Sequence, residues 1–297
     1  MKIFYTDTYR VDLPDGHRFP MEKYRLVRQE LIERSVLDEQ DLFQAEIPPR
    51  DTLLLAHTAR YVDAVCSGTL SKNEVRKIGF PWSQSLVIRS LASVGGTVCA
   101  AEEALENGVS GCLAGGTHHA FADSGEGYCV FNDIAVAVTY LFKKEAIRRA
   151  AIIDLDVHQG NGNSSILGDR EDVFIFSMHG EKNYPFQKVP STIDIGLDDN
   201  TGDEEYLRLL SETLPKVLDF QPDIVFYQAG VDPLKEDLLG RLALSKEGLA
   251  QRDRIVISEC KKRSIPISLS LGGGYAKPIH LTVKSHVETY KVVKEVF

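Results

Sequence analysis

Five short apolar runs close in the same way, and that shared ending constrains the fold more than any other feature. "GCLAGG", "AAIIDLD", "VFIFSMH", "DIVFYQAG" and "PISLSLGGG" each run into glycine, a carboxylate or an imidazole. Helical patterns around 131–147, 203–219, 246–263 and 278–296 separate several of them. Strands apolar on both faces, joined by helical crossovers, predict an α/β fold with a mostly parallel central sheet flanked by helices. The polar endings then share the carboxyl edge of the sheet, where open α/β sheets bind ligands. "KIFY" predicts a further strand, and "PMEKYRLVRQELIERS" a helix opened by Pro20. A long helix through "SQSLVIRSLASVGGTVCAAEEALENG" should stop at Gly108, with Gly95-Gly96 demanding close packing or a break. No linker, repeat or low-complexity tract interrupts the chain, so 1–297 reads as a single domain.

The net charge of −9 argues against a nucleic-acid partner, which needs clustered Lys and Arg, and suits a neutral or basic substrate. Cys66, Cys99, Cys112, Cys129 and Cys260 show no C-x-x-C spacing, which suits a reducing compartment. Cys112 and Cys129 read as small buried residues rather than metal ligands. Without an apolar run of signal-peptide or membrane-spanning length, a cytoplasmic protein with no membrane partner is expected.

Two clusters carry chemistry. In "IIDLDVHQGNG" the alternation of an extended strand places Asp154, Asp156 and His158 on one side and Leu155 and Val157 on the other. Charged groups there need a reason, because unpaired buried charge is costly. A carboxylate and an imidazole two residues apart can share a divalent cation, and Asp232, ending "IVFYQAGVD", is the natural third ligand of an open catalytic site. The second cluster is "GGTHHA". Its adjacent His118 and His119 could be ligands, a proton-transfer pair or turn caps. On a regular strand they would face opposite ways, so a glycine-led bend must bring both rings to one site.

Together these motifs resemble the histone deacetylase family of metal-dependent amide hydrolases. "GGTHHA", "DLDVHQGNG", "AGVDPL" and "LGGGY" stand in the family's order and spacing. "GHRFPMEKY", "AHTARYVDAV" and "SGEGYCVFNDIAVA" extend the likeness over nearly the whole chain. "NYPFQ…DDNTGDEEYL" and "GRLALSKEGLAQRD" look most like the class IV subfamily and its bacterial relatives. The resemblance implies Zn²⁺, replaceable by Fe²⁺, held by Asp156, His158 and Asp232. It implies His118 and His119 beside the attacking water, with Tyr275 facing them. Asp154 would orient His118 and, with Ser177 nearby, hold a structural K⁺. Gly127 and Tyr128 match positions lining the acyl-lysine channel. The activity implied is hydrolysis of an N-acyl amide, acetyl foremost, on a lysine side chain or a small amine. Oligomeric state is left open.

One departure stands out. Where class I members give both histidines aspartate partners, this chain has Asn161 at the second position. An amide fixes a tautomer without favouring imidazolium, so His119 is expected to be the neutral general base and His118 the protonated partner.

Rival readings differ in class. A binuclear arginase-type site would need Asp at Gly160 and Leu234. Acetylpolyamine hydrolysis would use acidic rim residues, for which Asp123 and Glu126 are available, and a long-chain lysine deacylase would share the same core. An inactive scaffold should have lost a ligand, a histidine or the tyrosine. Elsewhere, Trp82 reads as a helix-start anchor, and His57 as a structural residue where a strand hands over to a helix. His17 belongs to a rim loop, His280 and His286 to surface or packing, and "KEDLLGR" at 235–241 to a solvated loop helping to place Asp232.

Overall fold

The five polar-ended runs lie side by side. The computed structural model describes residues 1–297 and contains strands β1 (Ile3–Tyr5), β2 (Leu42–Gln44), β3 (Val109–Cys112), β4 (Ala150–Asp154), β5 (Val173–Gly180), β6 (Ile193–Leu197), β7 (Ile224–Gln228) and β8 (Ile267–Ser270). They form one sheet in the order β2-β1-β3-β8-β7-β4-β5-β6, and every pairing is parallel. The runs read from the sequence are β3, β8, β7, β4 and β5, five consecutive strands, so their polar ends converge on one stretch of the carboxyl edge.

Alternation along these strands feeds two cores. Ala150 and Ile152 of β4, with Ile224 and Phe226 of β7, join one apolar cluster, while Ala151, Ile153, Val225 and Tyr227 join the other. Helices Lys23–Glu33, Gln84–Asn107, Asp133–Lys143, Asp203–Leu218, Lys246–Lys262 and His280–Val296 supply the apolar surface that buries both faces. No helix is long and apolar enough to cross a membrane.

The long helix runs unbroken from Gln84 to Asn107. Ser83 caps it by accepting from Leu86 N at 3.1 Å, and Gly108, with φ of 87°, ends it. Gly95-Gly96 is a close approach rather than a break. A Cβ at Gly95 would lie 1.8 Å from the Glu46 carbonyl oxygen, and one at Gly96 would lie 2.6 Å from Cys112 Sγ. The first helix begins at Lys23, with Pro20 in the turn before it. β2 and β6 have no counterpart among the runs named from the sequence. Both are edge strands whose residues, Leu197 apart, stay partly exposed, so neither shows the continuous apolar pattern of a central strand.

Candidate active site

Between β3 and the histidine pair the backbone turns through Gly115 and Gly116, whose φ angles of 77° and 74° lie in the left-handed region. The bend is clamped from both sides. Gln228, at the end of β7, donates Nε2 to Gly116 O at 2.9 Å, and Asp133 accepts from Gly116 N at 2.9 Å and Thr117 N at 2.7 Å. A Cβ on Gly116 would lie 2.0 Å from Gln228 Oε1, so the clamp requires glycine. The bend brings the buried rings of His118 and His119 to 4.1 Å between centroids.

β4 ends at Asp154, and Asp156 and His158 follow in the irregular segment beyond it, anchored because Leu155 and Val157 enter the second core. His158 Nδ1 lies 3.0 Å from Asp156 Oδ1 and 3.2 Å from Asp232 Oδ2. One donor atom from each of Asp156, His158 and Asp232 falls within 4.8 Å of the others, and all three residues are buried. The outer carboxylate oxygens are held by backbone: Asp232 Oδ1 accepts from Val157 N at 2.9 Å and Asp156 Oδ2 from Gly273 N at 2.8 Å. Asp232 Oδ2 is buried with no hydrogen bond. Two buried carboxylates facing one imidazole, one of them with an oxygen that has no hydrogen bond, fit a divalent cation, which would offset the repulsion between the two negative charges.

The histidines have different neighbours. His118 Nδ1 meets Asp154 Oδ2 at 2.7 Å, and His119 Nδ1 meets Asn161 Oδ1 at 2.7 Å. Burial opposes charge on His118, but the Asp154 and Asp156 carboxylates outweigh it and push its pKa up to about 9. Burial, reinforced by the charges of His118 and His158, holds His119 well below the usual histidine value.

Asn161 in turn donates Nδ2 to Glu126 Oε1 at 2.8 Å. A carboxylate cannot donate, so this bond orients the amide with its oxygen towards His119. His119 Nδ1 then carries the proton and Nε2 the lone pair. Glu126 is therefore not the acidic rim residue the sequence suggested, because its carboxylate is turned inwards to Asn161.

A pocket of about 740 Å³ opens over this edge and exposes His118, His119, Asp156, His158 and Tyr275 on its wall. Gly127 and Tyr128 line it too, both with positive φ. A Cβ at Gly127 would come 2.7 Å from His119 Cδ2, so the channel wall touches that ring directly. Tyr184 packs edge-on against His119, with centroids 5.0 Å apart. Burial, and then the nearby Asp232 and Asp156, raise Tyr275 well above the ordinary tyrosine value, keeping its hydroxyl a donor. Ser177 pairs with Asp154 in the β4–β5 register, and its hydroxyl bonds His179 Nδ1 at 2.9 Å.

Several supporting residues escaped the sequence reading. Asp237, within the segment expected to be solvated, is buried and accepts from Tyr275 N at 2.6 Å and from Leu239 N and Gly240 N at 2.8 and 3.0 Å. The loop therefore holds Tyr275 as well as flanking Asp232. Fully buried Lys23 donates to Gly272 O at 2.9 Å and steadies the preceding glycines. A buried Lys or Asp in a loop carries no signal until its distant partner is known, which is why these were missed. His57 follows the short helix Arg50–Leu53 rather than a strand, because "TLL" closes a helical turn before Thr58 caps the next helix. Its ring bridges Phe121 O (3.0 Å) and Asn132 N (2.9 Å), a structural role. Trp82 donates to Val65 O at 2.8 Å just before the Ser83 cap, His17 Nε2 reaches Gly79 O at 2.9 Å, His280 is exposed and His286 is buried.

Residues 17–290 match the family described as "Histone deacetylase domain". An uncharacterized protein of Picosynechococcus sp. is 43% identical over 296 residues, covering 99% of both chains. Histone deacetylase 2 of Arabidopsis thaliana is 32% identical over 301 residues, with 97% of this chain and 78% of that protein covered. The crystal structure of an HDAC homolog from Aquifex aeolicus superposes with a TM-score of 0.82 at 26% identity, covering 99% of this chain and 82% of that one.

Proposed function

The chain belongs to the histone deacetylase family and is a deacetylase, and from that premise we propose that it hydrolyses the acetyl amide of a lysine side chain at the His118–His119 site. The observation that carries this reading is the placement of two histidines with unlike partners beside the buried Asp156–His158–Asp232 cluster in one pocket. Zn²⁺ or Fe²⁺ held by Asp156, His158 and Asp232 would supply Lewis acidity towards the acyl carbonyl and the attacking water.

The remaining steps belong to the protein. His119 Nε2, unprotonated, takes the proton of the attacking water. His118, kept charged by Asp154, stabilises the developing negative charge and returns a proton to the leaving amine nitrogen. The Tyr275 hydroxyl donates to the oxyanion. Gly127 and Tyr128 flank the lysine stem, and Asp154 beside Ser177 would hold a monovalent cation, K⁺, behind His118. A single divalent ion is favoured over a pair. At Gly160, where a binuclear site needs Asp, even a Cβ would lie 2.3 Å from Asp154 Oδ2, and Leu234 is buried in the apolar core.

The acetylpolyamine alternative fits less well. Of the side chains lining the pocket Asp156 is the only carboxylate, whereas Arg18, Lys77, Lys182 and Arg241 are cationic, a lining that repels a polyamine. The deciding experiment is hydrolysis of acetyl-lysine peptides and acetylated polyamines by the zinc-loaded protein. Peptide turnover is expected, abolished by His119→Ala. No turnover of any acetyl amide with metal bound would overturn the reading. Near-full activity of His119→Ala alongside loss in His118→Ala would overturn the division of roles.

A further inference from the structure

In the same pocket the helix Gln84–Asn107 presents Arg89 and Ser93. They are four residues apart and so share one face of the helix. Both are at least nine-tenths buried, with exposures of 9% and 3%. Arg89 Nη2 and Ser93 Oγ have no hydrogen-bond partner. The guanidinium carbon lies 4.3 Å from the Tyr24 ring centroid, and the Lys23 ammonium approaches the same ring at 5.2 Å. Two buried cations thus share one aromatic ring, and one of them has an unused donor nitrogen.

A buried guanidinium without partners is costly unless something in use satisfies it. Tyr24 and Lys23 connect this face to the reacting end: the Lys23 ammonium lies 5.3 Å from the Tyr275 ring centroid and donates to Gly272 O, and Tyr275 and Gly272 line the same pocket. The group that fits a planar guanidinium fork beside a hydroxyl is a carboxylate. We propose that Arg89 and Ser93 bind a carboxylate at the far end of the acyl chain, making dicarboxylic acyl-lysines such as succinyl- or glutaryl-lysine substrates of this enzyme. The inference rests on the hydrolase reading above and names the substrate class of that same site. The reaction is ordinary amide hydrolysis. Water adds its oxygen to the acyl carbon, and the C–N bond breaks with its electron pair going to nitrogen. The nitrogen gains a proton, leaving a free dicarboxylate and a free lysine amine. Acetate released from an acetyl substrate carries the same chemical group, so the test separates the two sources.

The test is kcat/KM of the zinc-loaded protein on ε-acyl-lysine peptides matched in chain length, glutaryl against pentanoyl, with acetyl alongside, together with inhibition by free glutarate and by acetate. The charged chain is expected to exceed its neutral counterpart at least about tenfold, with glutarate the stronger inhibitor. R89M should collapse the glutaryl-to-pentanoyl ratio, R89K should restore part of it, and S93A should lower it. Equal or better turnover of pentanoyl by the unmutated protein overturns the inference, and needs no variant to fold. So does an unchanged ratio in a folded R89M. Acetate inhibiting as strongly as glutarate, with acetyl preferred, would mark a product site only and overturn it too. Inactivity on every peptide, acetyl included, would instead sink the hydrolase reading itself.

Discussion

Glu126→Gln tests whether His119 is tuned from behind. The substitution keeps the shape and an acceptor oxygen but removes a charge that reaches the imidazole through Asn161, over contacts of 2.8 and 2.7 Å. Two hydrogen bonds and the width of one amide place the carboxylate roughly 7 Å from the ring. At an effective dielectric of about 20 that separation corresponds to about 2 kcal/mol, or one to two pH units. The sign follows from charge: the carboxylate favours protonated His119, so its removal lowers the His119 pKa and makes the base weaker. The acid limb of kcat/KM against pH, measured on an acetyl-lysine peptide with zinc-loaded protein, should therefore move to lower pH by about one to two units. Plateau kcat should fall roughly three- to tenfold as the base weakens, with KM little changed. An acid limb that stays put, with plateau activity within about twofold of the parent, would refute the argument. So would a shift to higher pH.

Chelation of the divalent ion should abolish hydrolysis and lower the thermal midpoint. Ion restored at about a hundred times its dissociation constant should return about 2.7 kcal/mol of stability, read by differential scanning. Tyr275→Phe should cut kcat on the order of a hundredfold with little effect on KM, since it deletes only the oxyanion donor. A third expectation concerns pH and stability. Burial lowers the His57 pKa to about 4, so the unfolded chain binds the extra proton between the ordinary value near 6.5 and that figure. Stability present above pH ~6.5 should be lost as pH falls towards 4, by about 3 kcal/mol in urea titrations, and His57→Gln should flatten that slope.

The ligand cluster and the histidine pair were legible because they lie within short segments at strand ends. Alternation carries past the end of β4, where Leu155 and Val157 enter the second core and leave Asp154, Asp156 and His158 for the site, and Gly115-Gly116 signals the bend that adjacent histidines require. The assignment of Glu126 to the rim failed for the converse reason. A loop carboxylate has no periodicity, and only the folded chain reveals that it points inwards to Asn161, 35 residues away in sequence. Asp237 was misplaced on the same ground, since its partner Tyr275 N is 38 residues distant.

From the sequence alone came the parallel sheet, its active edge, the family and the residues expected to do the chemistry. These depend on hydrophobic periodicity, turn residues and motif spacing, all local properties of the chain. Tertiary structure alone decided the strand order that sets five polar endings side by side, the relay from Glu126 through Asn161 to His119, and the exposure of Arg89 and Ser93 to the pocket. Each of these is a contact between residues far apart in sequence, and which groups end buried against one another is settled only when the two cores close around the sheet.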